Sequence, residues 1–181
     1  MSSEALASGV VGRPLDPSEW PAFRDLRLDA LRTERWAYAS THDDEASTPP
    51  AEWEATIAGP DRQVFGLFDA GRLVGIAAVF AWREDPLGET AVFGMSFIRP
   101  EYRGRGLWKI LNEMRLTWVA ANGRFTSIVT GHRGRHHISA IVARGMGFSP
   151  IARVPRTWPD GTIDDRILYR LEIRSKSTVG A

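Results

Sequence analysis

The chain has 181 residues, with 23 Lys and Arg against 22 Asp and Glu and a formal net charge of +1. That length fits one domain with a sizeable core, and the near-neutral balance excludes a global field that would recruit nucleic acid or an anionic membrane. Without cysteine there are no disulfides, no thiolate nucleophile and no cysteine-ligated zinc, and no stretch has the length and apolarity of a membrane span.

Residues 1–8 read as a loose tail. They lack a basic region followed by a long apolar run, so the expected compartment is the cytoplasm. A first strand is expected over 10–15. Asp16-Pro17-Ser18-Glu19 then reads as a helix start, with a capping Asp, Pro at the first position and Glu closing a capping box. Trp20, Phe23, Leu26, Leu28, Ala30 and Leu31 carry that helix to about Arg35. Residues 36–45 show no clear period. Thr48-Pro49-Pro50 starts a second helix that passes Trp53 and Ile57 to Gly59-Pro60. Seven tryptophans are many for this length, and Trp36, Tyr38 and Trp53 read first as core packing.

Strands over 63–69 and 72–82 flank the hairpin signal Ala70-Gly71. A charged turn over 83–88 leads to a strand over 90–98. The basic glycine loop Arg99-Pro100-Glu101-Tyr102-Arg103-Gly104-Arg105-Gly106 follows. Leu107, Ile110, Leu111, Met114 and Trp118 then mark the buried face of a helix that Gly123 terminates. A strand over 125–130 runs into Gly131–His137. A short helix passes Ile138, Ile141 and Val142 and stops at Met146-Gly147-Phe148. Strands over 150–154 and 167–173 flank a turn at Pro159-Asp160-Gly161, and a tail runs from Ser175 to the end. The order β-α-α-β-β-β-α-β-α-β-β predicts an α/β (α+β) domain over 9–174, with a mixed sheet and helices on both faces.

Strand, basic glycine loop and helix N-terminus make a phosphate site on physical grounds. The first amides of a helix have no internal partner, its dipole is positive there, and Arg103, Arg105 and Lys109 add charge. GxxxxGK[ST] is absent, and Gly104-Arg105-Gly106 lacks the third glycine of a dinucleotide loop. A solvated basic turn is the bland alternative. The string PEYRGRGLWKIL resembles the coenzyme A loop of the GNAT acetyltransferase superfamily, [RQ]-x-x-G-x-[GA], with Arg103 first and Gly106 fourth. Trp108 departs from the final small residue. RHHISAIVARGMGF resembles the family's second cofactor segment, with Ser139, Gly147 and Phe148 matching and His136 where asparagine is usual. HR…S…GF…WPDG…Y…L also resembles one bacterial branch.

The resemblance implies a GNAT-like, mostly antiparallel sheet of six to seven strands. It implies transfer of acetyl from acetyl-CoA to a primary amine of a small molecule or peptide, by direct attack and with no metal. The family pairs the cofactor's arm with the strand before the loop, which here brings in Ser96, Phe97 and Ile98. It places pyrophosphate on the amides from Arg103 through Gly104, Arg105, Gly106 and Leu107 to Trp108, and His136 and Ser139 on the other side. Trp108 lies about 100° from the apolar stripe, either beside the cofactor or packed on a neighbouring loop. Ala143 stands where many relatives carry a proton-donating tyrosine, so Tyr169 or a water replaces it unless the thiolate leaves unassisted. Tyr169 also reads as a core aromatic.

His132 follows the strand that should diverge from 90–98. Histidine titrates near neutrality, so His132 is the candidate to take the amine proton. The competing role is to hydrogen-bond the turn at Gly131–Gly134. His132, His136 and His137 lack a metal-ligand pattern. A non-catalytic binder of CoA or another phosphate ligand stays open, whereas near-zero charge argues against nucleic acid. The expected assembly is a monomer or a homodimer.

Overall fold

The computed structural model describes residues 9–173, and the tails expected at 1–8 and 175–181 lie outside them. Asp16 starts the first helix as its neighbours suggest. Its carboxylate accepts from Ser18 N at 2.9 Å while the Glu19 carboxylate accepts from Asp16 N at 2.9 Å. One 3-10 turn over Pro17–Glu19 results, and helix α1 follows over Trp20–Thr33. The aperiodic stretch beyond contains a helix that spacing does not reveal, α2 (His42–Ala46), capped by Thr41. Helix α3 spans Pro50–Ile57.

The strands are β1 (Val10–Pro14), β2 (Ala58–Gly59), β3 (Arg62–Asp69), β4 (Arg72–Ala81), β5 (Thr90–Ile98), β6 (Ser127–Arg133), β7 (Ser149–Thr157) and β8 (Ile163–Glu172). Helix α4 (Leu107–Asn122) joins β5 to β6, and α5 (His137–Gly145) joins β6 to β7. The sheet order is β1-β3-β4-β5-β6-β8-β7, with β2 paired to β3. The sheet therefore has eight strands, one more than the upper expectation. The addition is the two-residue β2, too short to show a period. Every neighbouring pair is antiparallel except β5–β6, which is parallel. Ala70 and Gly71 both have positive φ, 46° and 82°, as the tight turn between β3 and β4 requires.

Two apolar layers sandwich the sheet. On one face Phe23, Leu26 and Leu31 of α1 and Trp53 and Ile57 of α3 pack on Val64, Ile76 and Phe97. On the other, Leu107, Leu111 and Val119 of α4 and Ala143 of α5 pack on Phe65, Val74, Phe93 and Ile128. Burial of each large side chain contributes roughly 1.5–3 kcal/mol. Strand β4 is buried continuously from Leu73 to Val79 because both its faces are covered. The stripe predicted on α4 holds, with Ile110, Met114 and Trp118 half-buried at its margin. The same helix also buries Asn112 and Arg115, which hydrophobic spacing does not mark. Among the described residues no helix is long and apolar enough to cross a membrane.

Strand β5 changes faces midway. Phe97 pairs with Ile76 and Gly94 with Ala78, so Met95 and Ser96 together oppose Ala77. This is a β-bulge, and Met95 takes the left-handed φ of 52° within it. Phe93 and Phe97 would share a face in a regular strand. The extra residue instead sends Phe93 to the α4 side and Phe97 to the α1 side.

Arg133, 0% exposed, clasps the loop after α1 to the β7–β8 hairpin. Its Nη1 donates to Trp36 O at 2.9 Å and to Asp160 Oδ2 at 2.8 Å, and its Nε donates to Asp164 Oδ2 at 3.1 Å. The guanidinium bond, with help from Thr162, holds the Asp160 carboxyl well below the usual carboxylate range. A depressed native pKa adds stability that is full above the unfolded value of ~3.9 and is lost as pH falls through the native one. Asp160→Asn is therefore expected to lower Tm at neutral pH and to flatten the loss of Tm on acidification below about pH 4. Thermal unfolding followed across pH measures both. A second test concerns Gly12, where an added Cβ would lie 2.5 Å from Ile110 Cγ2 and 2.9 Å from Met114 Cε. Gly12→Val should push α4 off β1 and reduce unfolding free energy by ~1–3 kcal/mol in a urea titration.

Candidate functional site

Strands β5 and β6 pair only from Thr90–Ser127 to Phe93–Thr130. Thr130 Oγ1 donates to Phe93 O at 3.1 Å at the last rung. Beyond it β5 follows β4 and β6 follows β8, so the sheet forks. The edge of β5 beyond Phe93 has no β6 partner, and the two strands part there. The glycine loop and α4 follow from the upper end of β5, and α5 follows from the upper end of β6. Both helix N-termini are therefore delivered to the mouth of the fork.

The glycine loop is built by backbone geometry. A 3-10 turn over Pro100–Tyr102 closes when Arg103 N donates to Pro100 O. Gly104 and Gly106 then take φ of 74° and 71°, and Gly106 caps α4 in the left-handed conformation. A Cβ at Gly104 would meet nothing within 4 Å, so φ and not space requires glycine there. Lys109 N donates to Gly106 O, while the amides before it belong to the helix end that lacks internal acceptors. Tyr102 Oη donates to Asp69 Oδ2 at 2.7 Å and ties the loop to the β3–β4 turn.

The two arginines of the loop are exposed but already engaged by neighbours. Arg103 Nε donates to Ile98 O at 2.8 Å, its Nη2 pairs with Glu34, and its guanidinium lies 5.5 Å from the Phe97 ring centre. Arg105 Nη2 donates to Glu101 O at 2.9 Å. Lys109 is exposed, and Trp108 is 38% exposed. Of the three residues expected along the arm, Phe97 is buried, and the carbonyls of Ser96 and Ile98 already accept from side chains. Ser96 O accepts from Tyr38 Oη at 3.0 Å, a contact that the core reading of Tyr38 does not contain. Trp53 is core, whereas Trp36 is exposed and lies 4.8 Å from the His136 ring.

On the α5 side His136 caps the helix, its Nδ1 accepting from Ser139 N at 3.3 Å. Burial and the nearby His132 lower its pKa. His132, 8% exposed, donates from Nδ1 to Arg133 O at 2.7 Å. A carbonyl only accepts, so the proton resides on Nδ1 and the Nε2 lone pair is left buried without a partner. The His132 ring stacks on Tyr169 at 5.3 Å, and both line an open groove of about 570 Å³ between α5 and the β7–β8 hairpin. Tyr169 is buried, and Ala143 lies in the core at the inner side of α5. No group of three or more His, Cys, Asp or Glu among the described residues is placed to hold a metal ion.

Residues 20–148 match the model of the acetyltransferase (GNAT) family. Among solved structures, a GNAT acetyltransferase from Streptococcus pneumoniae is 17% identical with a TM-score of 0.78, over 91% of this chain and 99% of that one. The yncA protein of Salmonella typhimurium, solved with its cofactor acetyl-CoA, is 19% identical with a TM-score of 0.77, over 96% and 99%. RimL, a ribosomal L7/L12 α-N-protein acetyltransferase solved with coenzyme A, is 18% identical with a TM-score of 0.72, over 93% and 97%. At these identities the likeness carries the fold. No curated protein sequence matches the chain. The family model spans more than half of the chain, and with the forked sheet it shows that this protein belongs to the GNAT family of acetyltransferases.

Proposed function

We propose that the chain is an acetyl-CoA-dependent N-acetyltransferase that acts on a primary amine of a small molecule or peptide by direct attack. The observation that carries this reading is the fork, with two left-handed glycines and the α4 N-terminus at its mouth. The residues fit such a cofactor. The loop has open space at Gly104, and with the Arg103 amide given to Pro100 O the amides from Gly104 to Trp108 are the ones that suit a pyrophosphate. The β5 edge from Ser96 to Ile98 suits an extended arm added as a strand, one that shares or displaces the Tyr38 and Arg103 bonds to the Ser96 and Ile98 carbonyls. His136 and Ser139 border the opposite wall, and Trp108 and Lys109 flank the phosphate end.

Acetyl-CoA supplies the acetyl group as a thioester. The chain's own work is to hold the arm, exclude water and move one proton from the amine. His132 is the proposed base: the Nδ1 bond to Arg133 O is the turn contact that the competing role also requires, and the feature that favours a base is the Nε2 lone pair it leaves without a partner. Tyr169 stacks on that ring and keeps its orientation. It stands as the replacement for the tyrosine that Ala143 lacks. The buried Ala143 also favours a second reading, a GNAT fold that binds CoA or another phosphate ligand without turnover. Release of free thiol from acetyl-CoA in the presence of an amine panel separates the two.

Gly106→Glu should abolish acetyl-CoA binding in calorimetry, since it strains a left-handed position and sets negative charge beside phosphate. Affinity equal to wild type would overturn the loop assignment. His132→Ala should lower turnover by ~10²-fold with acetyl-CoA affinity retained, and should flatten the acidic limb of the pH–rate profile. If affinity and Tm fall together while the limb persists, His132 is a support for the turn and water takes the proton.

A further inference from the structure

Arg115 is a cation inside the molecule with no anion beside it. It lies in the middle of α4, is 6% exposed, and makes no ion pair among the described residues. Burial lowers its pKa to about 9, which leaves it charged at neutral pH. A buried charge without a counterion is destabilising unless its hydrogen bonds are met. The partners are Asn112 Oδ1 one turn back on α4, Ser96 Oγ at 3.2 Å and Ala78 O at 3.4 Å. The guanidinium carbon also lies 4.1 Å from the centre of the Phe93 ring, while Nε has no partner.

These contacts bracket the bulge. Phe93 precedes it, Ser96 lies within it, and Ala78 stands at its edge on β4. A bulge breaks the ladder locally and leaves backbone groups short of partners. We propose that Arg115 is a positioning residue of the cofactor cleft, holding the bulge of β5 open and fixing it to the helix that carries the phosphate loop. The inference rests on the cofactor reading above. The helix makes the link rigid. Arg115 follows Leu107 by eight residues, about 12 Å along the axis. One rod therefore presents terminal amides at one end and grips the β5 edge further on. If the bulge closed, every side chain after it would change face. Phe97 would leave the α1 layer, Arg103 would lose its ring contact, and the Tyr38 bond to Ser96 O would break.

The test compares acetyl-CoA with ADP, which carries a pyrophosphate but no arm. Calorimetry on wild type, Arg115→Met and Arg115→Lys supplies the affinities. Thermal unfolding and the cross-strand NMR contacts of Ala78, Gly94 and Phe97 report on the fold. Arg115→Met is expected to fold with a lowered Tm, since Asn112 Oδ1, Ser96 Oγ and Ala78 O lose their buried donor. It should weaken acetyl-CoA by ~10-fold or more, leave ADP affinity near wild type and shift the β4–β5 register. Arg115→Lys, which keeps the charge and a donor, should recover part of the affinity. Unchanged acetyl-CoA affinity would overturn the proposal, as would equal loss of both ligands. If wild type binds neither ligand, the cofactor reading fails, and an unaltered register in Arg115→Met then rejects the role at the bulge as well. Should that variant not fold, Asn112→Ala decides. It removes a partner of Arg115 outside the cleft and should weaken acetyl-CoA without ADP, whereas no difference between the two ligands rejects the link.

Discussion

The parting of β5 from β6 after Phe93 and Thr130 is the constraint on which the rest of the site depends. A parallel pair can fork only if each strand has another neighbour to satisfy its far edge. Here β4 and β8 serve that purpose. The near edges are then left open, which is unfavourable for buried backbone. The protein meets part of that demand with side chains. Tyr38 and Arg103 take the Ser96 and Ile98 carbonyls, and Thr130 takes that of Phe93. What stays open is a strand edge of limited length, suited to one extended ligand.

Much of this was legible before any coordinates. The capping box at Asp16, the Ala70-Gly71 turn, the apolar stripe of α4 and the Gly123 cap each carry a local physical signal, and each occurs as expected. The loop was legible because left-handed backbone at Gly104 and Gly106 demands glycine. The bulge was not. Gly94-Met95-Ser96 sits inside an apolar strand, and the change of face shows only when the partner strand is known. Arg115 escaped for a related reason. A charged residue on a helix reads as solvated, and only the bulge beneath it gives the guanidinium a place. Helix α2 has one turn and no buried residue, so it carries no hydrophobic period.

Charge near the cleft is distributed differently from what composition suggests. Arg103 is engaged by Glu34, Arg105 by a backbone carbonyl, and Arg133 by Asp160 and Asp164. An anion that sought Arg103 would have to compete with Glu34. Exposed ion pairs of that kind are worth only ~0–1 kcal/mol, so such an exchange is inexpensive but gains little. On the function proposed above, the burden of phosphate binding would therefore fall on backbone amides at the α4 N-terminus, where Gly104 and Gly106 set the left-handed backbone.

The same economy applies to the proton. A tyrosine at position 143 would place a hydroxyl at the inner side of α5, but Ala143 fills that position and packs in the core. The polar groups on that wall are instead His132 and His136, whose ring centres lie 6.3 Å apart, with Trp36 beyond. Their hydrogen bonds give the two rings opposite tautomers. His132 keeps its proton on Nδ1 for the Arg133 carbonyl, whereas His136 must leave Nδ1 bare to accept from Ser139. A neutral His136 therefore carries its proton on Nε2, and a neutral His132 offers a lone pair there. The Arg133 side chain ties the backbone of Trp36 to the β7–β8 hairpin while the Arg133 carbonyl accepts from His132, so the placement of the rings on this wall depends on the ion pairs of that hairpin.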